Sequence, residues 1–235
     1  MIFLSLILHD KIGQDTTVPA LDAPDNTLSV IDLITSGGIG GRTIIFVLFL
    51  LSIITIYVFV ERFLAIKSAG KIDPNFINNI KDLVSNDRID SADILCKQID
   101  SPVSRMIGKG ISVINKPLKD IEASIQNVGK IEIYNLEKNI GILATIAGVG
   151  PMIGFLGTVI GMVLAFHEMS VSGGHVDVQM LSKGIYTAMT TTIAGLIVGI
   201  FAYVLYNFLV VKTDKVIHKM EANTTEFLDL LNKPS

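Results

Sequence analysis

The 235-residue chain has no tryptophan and one cysteine, and only 17% of its residues are charged. A single thiol cannot close a disulfide within one chain, so Cys96 is expected to be free and reduced. The net charge of −3 is small and spread along the chain, which gives no basic patch of the kind nucleic acid requires. Three stretches have no Asp, Glu, Lys, Arg or His at all: Thr43–Val60 (18 residues), Asn139–Phe166 (28) and Gly184–Val211 (28). Catalytic signatures are missing as well. There is no phosphate-binding loop, no Cys/His metal spacing and no nucleophile–base pair with supporting context. These absences argue against an enzyme and imply no cofactor.

Half of the residues are hydrophobic, and the mean hydropathy is +0.57. A helix needs about 20 apolar residues to cross a bilayer, so each uncharged run qualifies as a span. Backbone polar groups in lipid must bond within their own segment, which leaves helices as the structure for these runs. The fold class expected is an all-α integral membrane protein, with three transmembrane helices extended into a cytoplasmic helical bundle. Its organisation reads as an external N-terminal segment (1–42), transmembrane helices at 43–66, 139–166 and 184–211, a cytoplasmic helical segment (67–138), a periplasmic loop (167–183) and a cytoplasmic tail (212–235).

Orientation follows from the basic residues that flank the spans. Arg62, Lys67, Lys71, Lys119, Lys130, Lys138, Lys212, Lys215 and Lys219 fall on one side, against Arg42 and Lys183 on the other. The positive-inside rule places the first group in the cytoplasm and the N-terminus outside. Met1–Leu8 is apolar but lacks a basic n-region and is too short for a signal-peptide core. Five aspartates fall between Asp10 and Asp32, and residues 27–36 read as a short interfacial helix before a hinge at Gly37–Gly41.

In the cytoplasmic segment, Asp73-Pro74 and Ser101-Pro102 are helix-start signals, a capping residue followed by Pro at the first helical position. Phe76, Ile77, Ile80, Leu83 and Val84 follow the first at helical spacing; Val103, Met106, Ile107, Ile111 and Ile114 follow the second. From Pro117 onward nothing punctuates the pattern until Phe166, so 117–166 is expected as one long helix, with a bend at Pro151.

The second and third spans are rich in small residues and hydroxyls. Gly150, Gly154, Gly157 and Gly161 share one side of the second span, and Ala188, Gly195 and Gly199 share a side of the third. Small residues at this spacing let backbones approach closely in lipid, where apolar bulk alone gives helices no reason to associate. Such faces leave surface that a lone chain in lipid buries poorly, which argues for an assembly around a central pore lined by these spans. A membrane threonine usually bonds back to the carbonyl one turn earlier, and Thr145 and Thr190 are expected to do so. Thr158 and Thr192 lie beside the small-residue faces and are candidate lining residues, with Thr187 and Thr191 on a neighbouring stripe. His167, Glu168, His175 and Asp177 share one external loop and are read as solvated residues rather than a metal site; His9 and His218 are read as surface residues. Tyr203 and Tyr206 fit an aromatic belt at the membrane edge.

The run Gly154-Phe155-Leu156-Gly157-Thr158-Val159-Ile160-Gly161, preceded by Gly150-Pro151, resembles the second transmembrane helix of the MotA/TolQ/ExbB proton-channel family. Gly184-Ile185 through Thr191-Thr192, Gly195-Leu196 and Tyr206-Asn207 resembles that family's third helix, and Val60-Glu61-Arg62 the end of its first. Three spans, an outside N-terminus and the intervening cytoplasmic segment fit the ExbB branch, whereas MotA-type stators have four spans. The resemblance implies a multi-pass protein of the bacterial inner membrane that forms a homopentamer around an ExbD/TolR-like single-span partner with an intramembrane Asp. Such a complex passes work from the proton motive force to a TonB- or TolA-like protein. Thr158 and Thr192 match family threonines beside that aspartate. Two departures stand out: Thr187 occupies a position where ExbB and TolQ commonly carry glutamate, and Phe201 replaces a proline. The chain then has no carboxylate of its own in any span, so the acid must come from the partner. A hydroxyl ring suits Na⁺ as well as H⁺. A gliding or flagellar-type stator subunit uses the same helices with another downstream partner; a secondary transporter is disfavoured because no internal repeat is visible.

Overall fold

A computed structural model describes residues 39–71, 73, 75–171 and 178–232. The interfacial helix expected at 27–36, together with His9, His175 and Asp177, lies outside them. The described residues form helices α1 (Ile39–Ala69), α2 (Phe76–Ser85), α3 (Ile89–Gln98), α4 (Pro102–Ser112), α5 (Leu118–Glu137), α6 (Ile140–Val171) and α7 (Val178–Leu231). Among the described residues, three stretches are long and apolar enough to cross a membrane: Gly40–Ala69, Leu118–Val171 and Leu181–Leu231. Much of their apolar surface faces outward, including Phe46, Phe49, Phe155, Phe166 and Ile197. That pattern is unfavourable in water and ordinary in lipid, where hydrocarbon takes up the exposed side chains.

α6 and α7 pack along most of the membrane-spanning length, with α1 against both. Beyond the spans, α2–α5 wrap the C-terminal half of α7 to form a helical lobe. Phe76, Ile80, Val103, Ile107, Ile125, Met220 and Phe227 fill its core at 1% exposure or less. α7 has 54 residues, roughly 80 Å at 1.5 Å per residue, so one rod serves both as a span and as the spine of the lobe.

Local chemistry explains the helix ends. Ser101 caps α4 by a reciprocal pair: its hydroxyl accepts from the Ser104 amide at 3.1 Å, and its own amide donates to the Ser104 hydroxyl at 3.1 Å. The Asp73-Pro74 signal marks the start of α2 only to within two residues: the helix begins at Phe76 with Asn75, not Asp73, in the capping position and without a side-chain cap. In the turn before it, the Asp73 carboxylate accepts from the Asn75 amide at 2.9 Å and the Asp73 carbonyl from the Phe76 amide at 2.9 Å.

Three expectations are corrected. The single helix expected over 117–166 is two helices, α5 and α6, parted at Lys138–Asn139. Asn139 has φ 65°, a left-handed conformation that Asn tolerates better than most residues and that a continuing helix forbids. The hinge expected at Gly37–Gly41 does not extend to Gly40 and Gly41, which lie inside α1. A Cβ on Gly40 would meet Ile160 Cγ2 at 3.3 Å, and one on Gly41 would meet Thr187 Cγ2 at 3.2 Å. These glycines admit neighbouring helices rather than a turn. The external loop expected over 167–183 is largely helical: His167 and Glu168 belong to α6, and α7 is under way by Val178.

Candidate functional site

The glycines of α6 and α7 interlock in one antiparallel contact. A Cβ on Gly154 would lie 2.8 Å from the Thr191 carbonyl oxygen and 3.0 Å from Gly195 Cα. On Gly157 it would lie 2.3 Å from Thr191 Oγ1, and on Gly161 3.0 Å from the Ala188 Cβ. From the other side, a Cβ on Gly195 would fall 2.7 Å from the Gly150 carbonyl oxygen. One on Gly199 would fall 2.6 Å from the Pro151 ring and 3.1 Å from the Ala147 carbonyl oxygen, which Pro151 has no N–H to meet. The small residues read from the sequence are therefore used within the chain, backbone against backbone. They provide no reason by themselves for a second copy.

Hydroxyls fill the remaining polar space. Thr191 is fully buried; its hydroxyl lies 2.7 Å from the Ala188 carbonyl on its own helix and 3.3 Å from the Gly154 carbonyl across the interface. The half-buried Thr192 donates to the same Gly154 carbonyl at 3.2 Å. Two hydroxyls of α7 thus converge on one carbonyl of α6, both beyond the usual O–H···O distance of about 2.5–3.0 Å, so these contacts are weak next to the 2.7 Å bond from Thr191 to Ala188. Thr158, also half-buried, donates back to the Phe155 carbonyl at 2.5 Å. As expected, Thr145 and Thr190 bond back one turn, to Gly141 at 3.0 Å and Tyr186 at 2.9 Å. Thr187 turns its methyl toward Gly41 of α1, so the position where a relative's glutamate is expected faces a span of this same chain.

The residues of this α6–α7 pair also match known proteins. A family model described as the MotA/TolQ/ExbB proton channel family matches residues 98–222, from the end of α3 to the lobe half of α7. The chain belongs to this family. It is 29% identical to a protein of Methanothermobacter thermautotrophicus described as a biopolymer transport ExbB homolog, over 197 residues that cover 82% of this chain and 67% of that one. It is 33% identical to the biopolymer transport protein ExbB of Helicobacter pylori over 48% of this chain and 79% of that one. It is 36% identical to the Tol-Pal system protein TolQ of Haemophilus influenzae over 43% and 44% of the two. Membership in the MotA/TolQ/ExbB family, closest to ExbB, agrees with the resemblance carried by 150–161 and 184–207. With three apolar spans, this family member is a membrane-embedded protein.

The sequence does not show how deeply several polar residues of the spans and the lobe are buried or what they hold. Thr191 rather than Thr192 is the fully buried hydroxyl of the contact, and Thr55 is fully buried on α1 with its hydroxyl on the Leu51 carbonyl at 2.8 Å. Arg62 is buried where α1 leaves the apolar run; it pairs with Glu61 and donates to the Asn135 carbonyl of α5 at 3.3 Å, tying the first span to the lobe. In the lobe, Arg105 holds Glu132 through two bonds at 2.8 and 2.6 Å, which raises the Arg105 pKa. Burial pushes the Cys96 thiol up to about 12. The only signal for these sites was a charged or polar residue on an otherwise apolar helical face.

Proposed function

We propose that this chain is the ExbB/TolQ-like pore subunit of an inner-membrane, ion-driven motor, with its N-terminus periplasmic and its C-terminus cytoplasmic. Five copies surround ExbD/TolR-like single-span partners, and the complex passes work to a TonB- or TolA-type protein for outer-membrane import or envelope maintenance. The observation that carries this reading is the α6–α7 pair, closely packed and hydroxyl-bearing, with no ionisable side chain between Asn139 and Phe166 or between Gly184 and Val211 apart from tyrosines. A channel subunit without a carboxylate needs an acid from elsewhere, and a partner aspartate supplies one. The names of the relatives favour this reading over a motility stator.

The hydroxyl chemistry supports a two-state contact. A threonine that donates to a carbonyl still has lone pairs free, so it can accept from a protonated carboxylic acid without moving. An ionised carboxylate accepts only, so the same threonine must swing its proton from the carbonyl to the acid. Thr192 holds the Gly154 carbonyl at 3.2 Å, a long bond that costs little to surrender. Thr158 is the second hydroxyl proposed to meet the acid, with Thr187 and Thr191 beside the path. An ionised Asp at bilayer depth costs at least a few kcal/mol unless such groups compensate. One charge crossing 100 mV supplies about 2.3 kcal/mol, enough to bias a small rotation of packed helices. Either H⁺ or Na⁺ would satisfy this ring of hydroxyls.

Affinity purification of the full chain from its native membrane tests the proposal. A small copurifying protein with one span and one intramembrane Asp, in a complex whose native mass fits five copies of this chain, is the expected result. Purification of a stable monomer or dimer without such a partner would overturn it.

A further inference from the structure

A second feature lies at the opposite end of the spans from the α6–α7 loop, where α1 and α7 leave their uncharged runs together. A groove of about 320 Å³ opens between them, lined by Lys67 and Lys71 of α1 and by Lys212, Lys215 and Lys219 of α7. Its floor is apolar, with Phe63, Ile66 and Val216, and no acidic residue lines it. All five lysines are exposed, and none of them forms an ion pair among the described residues. Gly70 is part of the arrangement: a Cβ there would lie 3.3 Å from Val216 Cγ2, so its absence lets the two lysine-bearing helices close up.

Five like charges in one groove repel each other, and among the described residues no acidic side chain lines the groove to offset them. We propose that the groove binds the phosphate headgroup of an anionic membrane phospholipid, with an acyl chain descending along Phe63 and Phe208. Depth favours a lipid over a free phosphate. Lys212 directly follows the uncharged run ending at Val211, and Lys67 stands seven residues past Val60, roughly 10 Å farther along the helix. The headgroup layer adds roughly 5–7 Å to each side of the hydrocarbon, so Lys212 and Lys215 stand within it while Lys67, Lys71 and Lys219 close the groove just above it, within reach of a headgroup through their long side chains. Phe59, Phe63 and Phe208 cluster at the mouth with ring centroids 5.8–6.1 Å apart, and the Lys212 ammonium lies 5.6 Å from the Phe208 centroid. Aromatic side chains beneath a basic groove suit a ligand that is charged at one end and apolar at the other. Through α1 and α7, the bound headgroup would join the first span to the third and link both to the lobe.

The test uses the purified full-length assembly in mild detergent, titrated with phosphatidylglycerol, cardiolipin, phosphatidylcholine or inorganic phosphate and read by native mass spectrometry. Wild type should retain the two anionic lipids and release phosphatidylcholine. Lys67→Gln/Lys71→Gln should weaken anionic-lipid retention roughly thirtyfold, and Lys71→Gln or Lys215→Gln alone roughly fivefold, since each basic residue near a membrane surface contributes similarly. Lys67→Arg/Lys71→Arg should keep the affinity, as should Lys119→Gln/Lys130→Gln, which remove the same charge elsewhere on the lobe side. The single variants keep the test decisive if the double variant fails to assemble. Equal retention of all three lipids, or losses as large for Lys119→Gln/Lys130→Gln, would overturn the proposal. So would stabilisation by inorganic phosphate alone with no preference among lipids, which would assign the groove to a free anion.

Discussion

Gly157→Ala tests the α6–α7 contact most directly. The added Cβ would stand 2.3 Å from Thr191 Oγ1 and 2.6 Å from Thr191 Cβ, distances that real side chains do not tolerate. Thr191 cannot simply turn away, because it is fully buried and its hydroxyl is held by the Ala188 and Gly154 carbonyls. Overpacking of this kind costs about 1–3 kcal/mol, and disturbing a hydrogen bond between membrane helices adds about 0.6 kcal/mol. A Gly→Ala change inside a helix otherwise gains up to about 1 kcal/mol of propensity. The matched control is Gly148→Ala on the same helix, where a Cβ meets nothing within 4 Å. Gly157→Ala should therefore be less stable than Gly148→Ala by about 2–4 kcal/mol, at least roughly thirtyfold in the folded-to-unfolded ratio. Equilibrium unfolding in mixed micelles at increasing dodecyl sulfate, followed by circular dichroism, reads the difference. Adding Thr191→Gly to Gly157→Ala moves the side chain from one helix to the other and should recover part of the loss as a favourable coupling energy. Equal stability of Gly157→Ala and Gly148→Ala, or no coupling with Thr191→Gly, would refute the packing described here.

Three further outcomes are expected. Thr158→Val and Thr192→Val keep the side-chain shape and remove the hydroxyl, so the assembled complex should form normally while ion-coupled uptake or envelope function falls in the double variant; full activity would return both threonines to purely local bonding. In a Cys96→Ala background, an impermeant thiol reagent on intact cells should label a cysteine at Ser170 and miss one at Ala123 if the proposed orientation, argued from the nine basic flanking residues, holds; the reverse pattern would invert it. Native Cys96 itself should resist alkylation below pH 9: its pKa rises from the usual 9.0 to about 12 in the fold. The folded state therefore holds a proton that the unfolded chain releases, so this contribution to stability is intact below pH 9 and is lost as pH climbs toward 12. Fast labelling of folded protein at pH 8, or alkaline unfolding unaffected by Cys96→Ala, would contradict that burial.

The sequence by itself settled what depends on one dimension. Spanning a bilayer depends on the length of an uncharged run, so Thr43–Val60, Asn139–Phe166 and Gly184–Val211 identify the three membrane helices without any knowledge of their neighbours. The Ser101-Pro102 start was equally legible, because a cap is made by residues three positions apart. Glycine spacing showed that a close approach exists, but only the tertiary structure showed which surface approaches. Helical period cannot tell a face that meets another span of the same chain from one that meets a second copy. Gly154 and Gly157 meet Thr191 of the same chain, and Thr191 rather than Thr192 carries the buried hydroxyl. The break at Asn139 was hidden because Asn is tolerated inside a helix as well as in the left-handed conformation it adopts here. Lys67 and Lys219 are separated by some 150 residues of chain, so the basic groove they share exists only once α1 and α7 lie side by side.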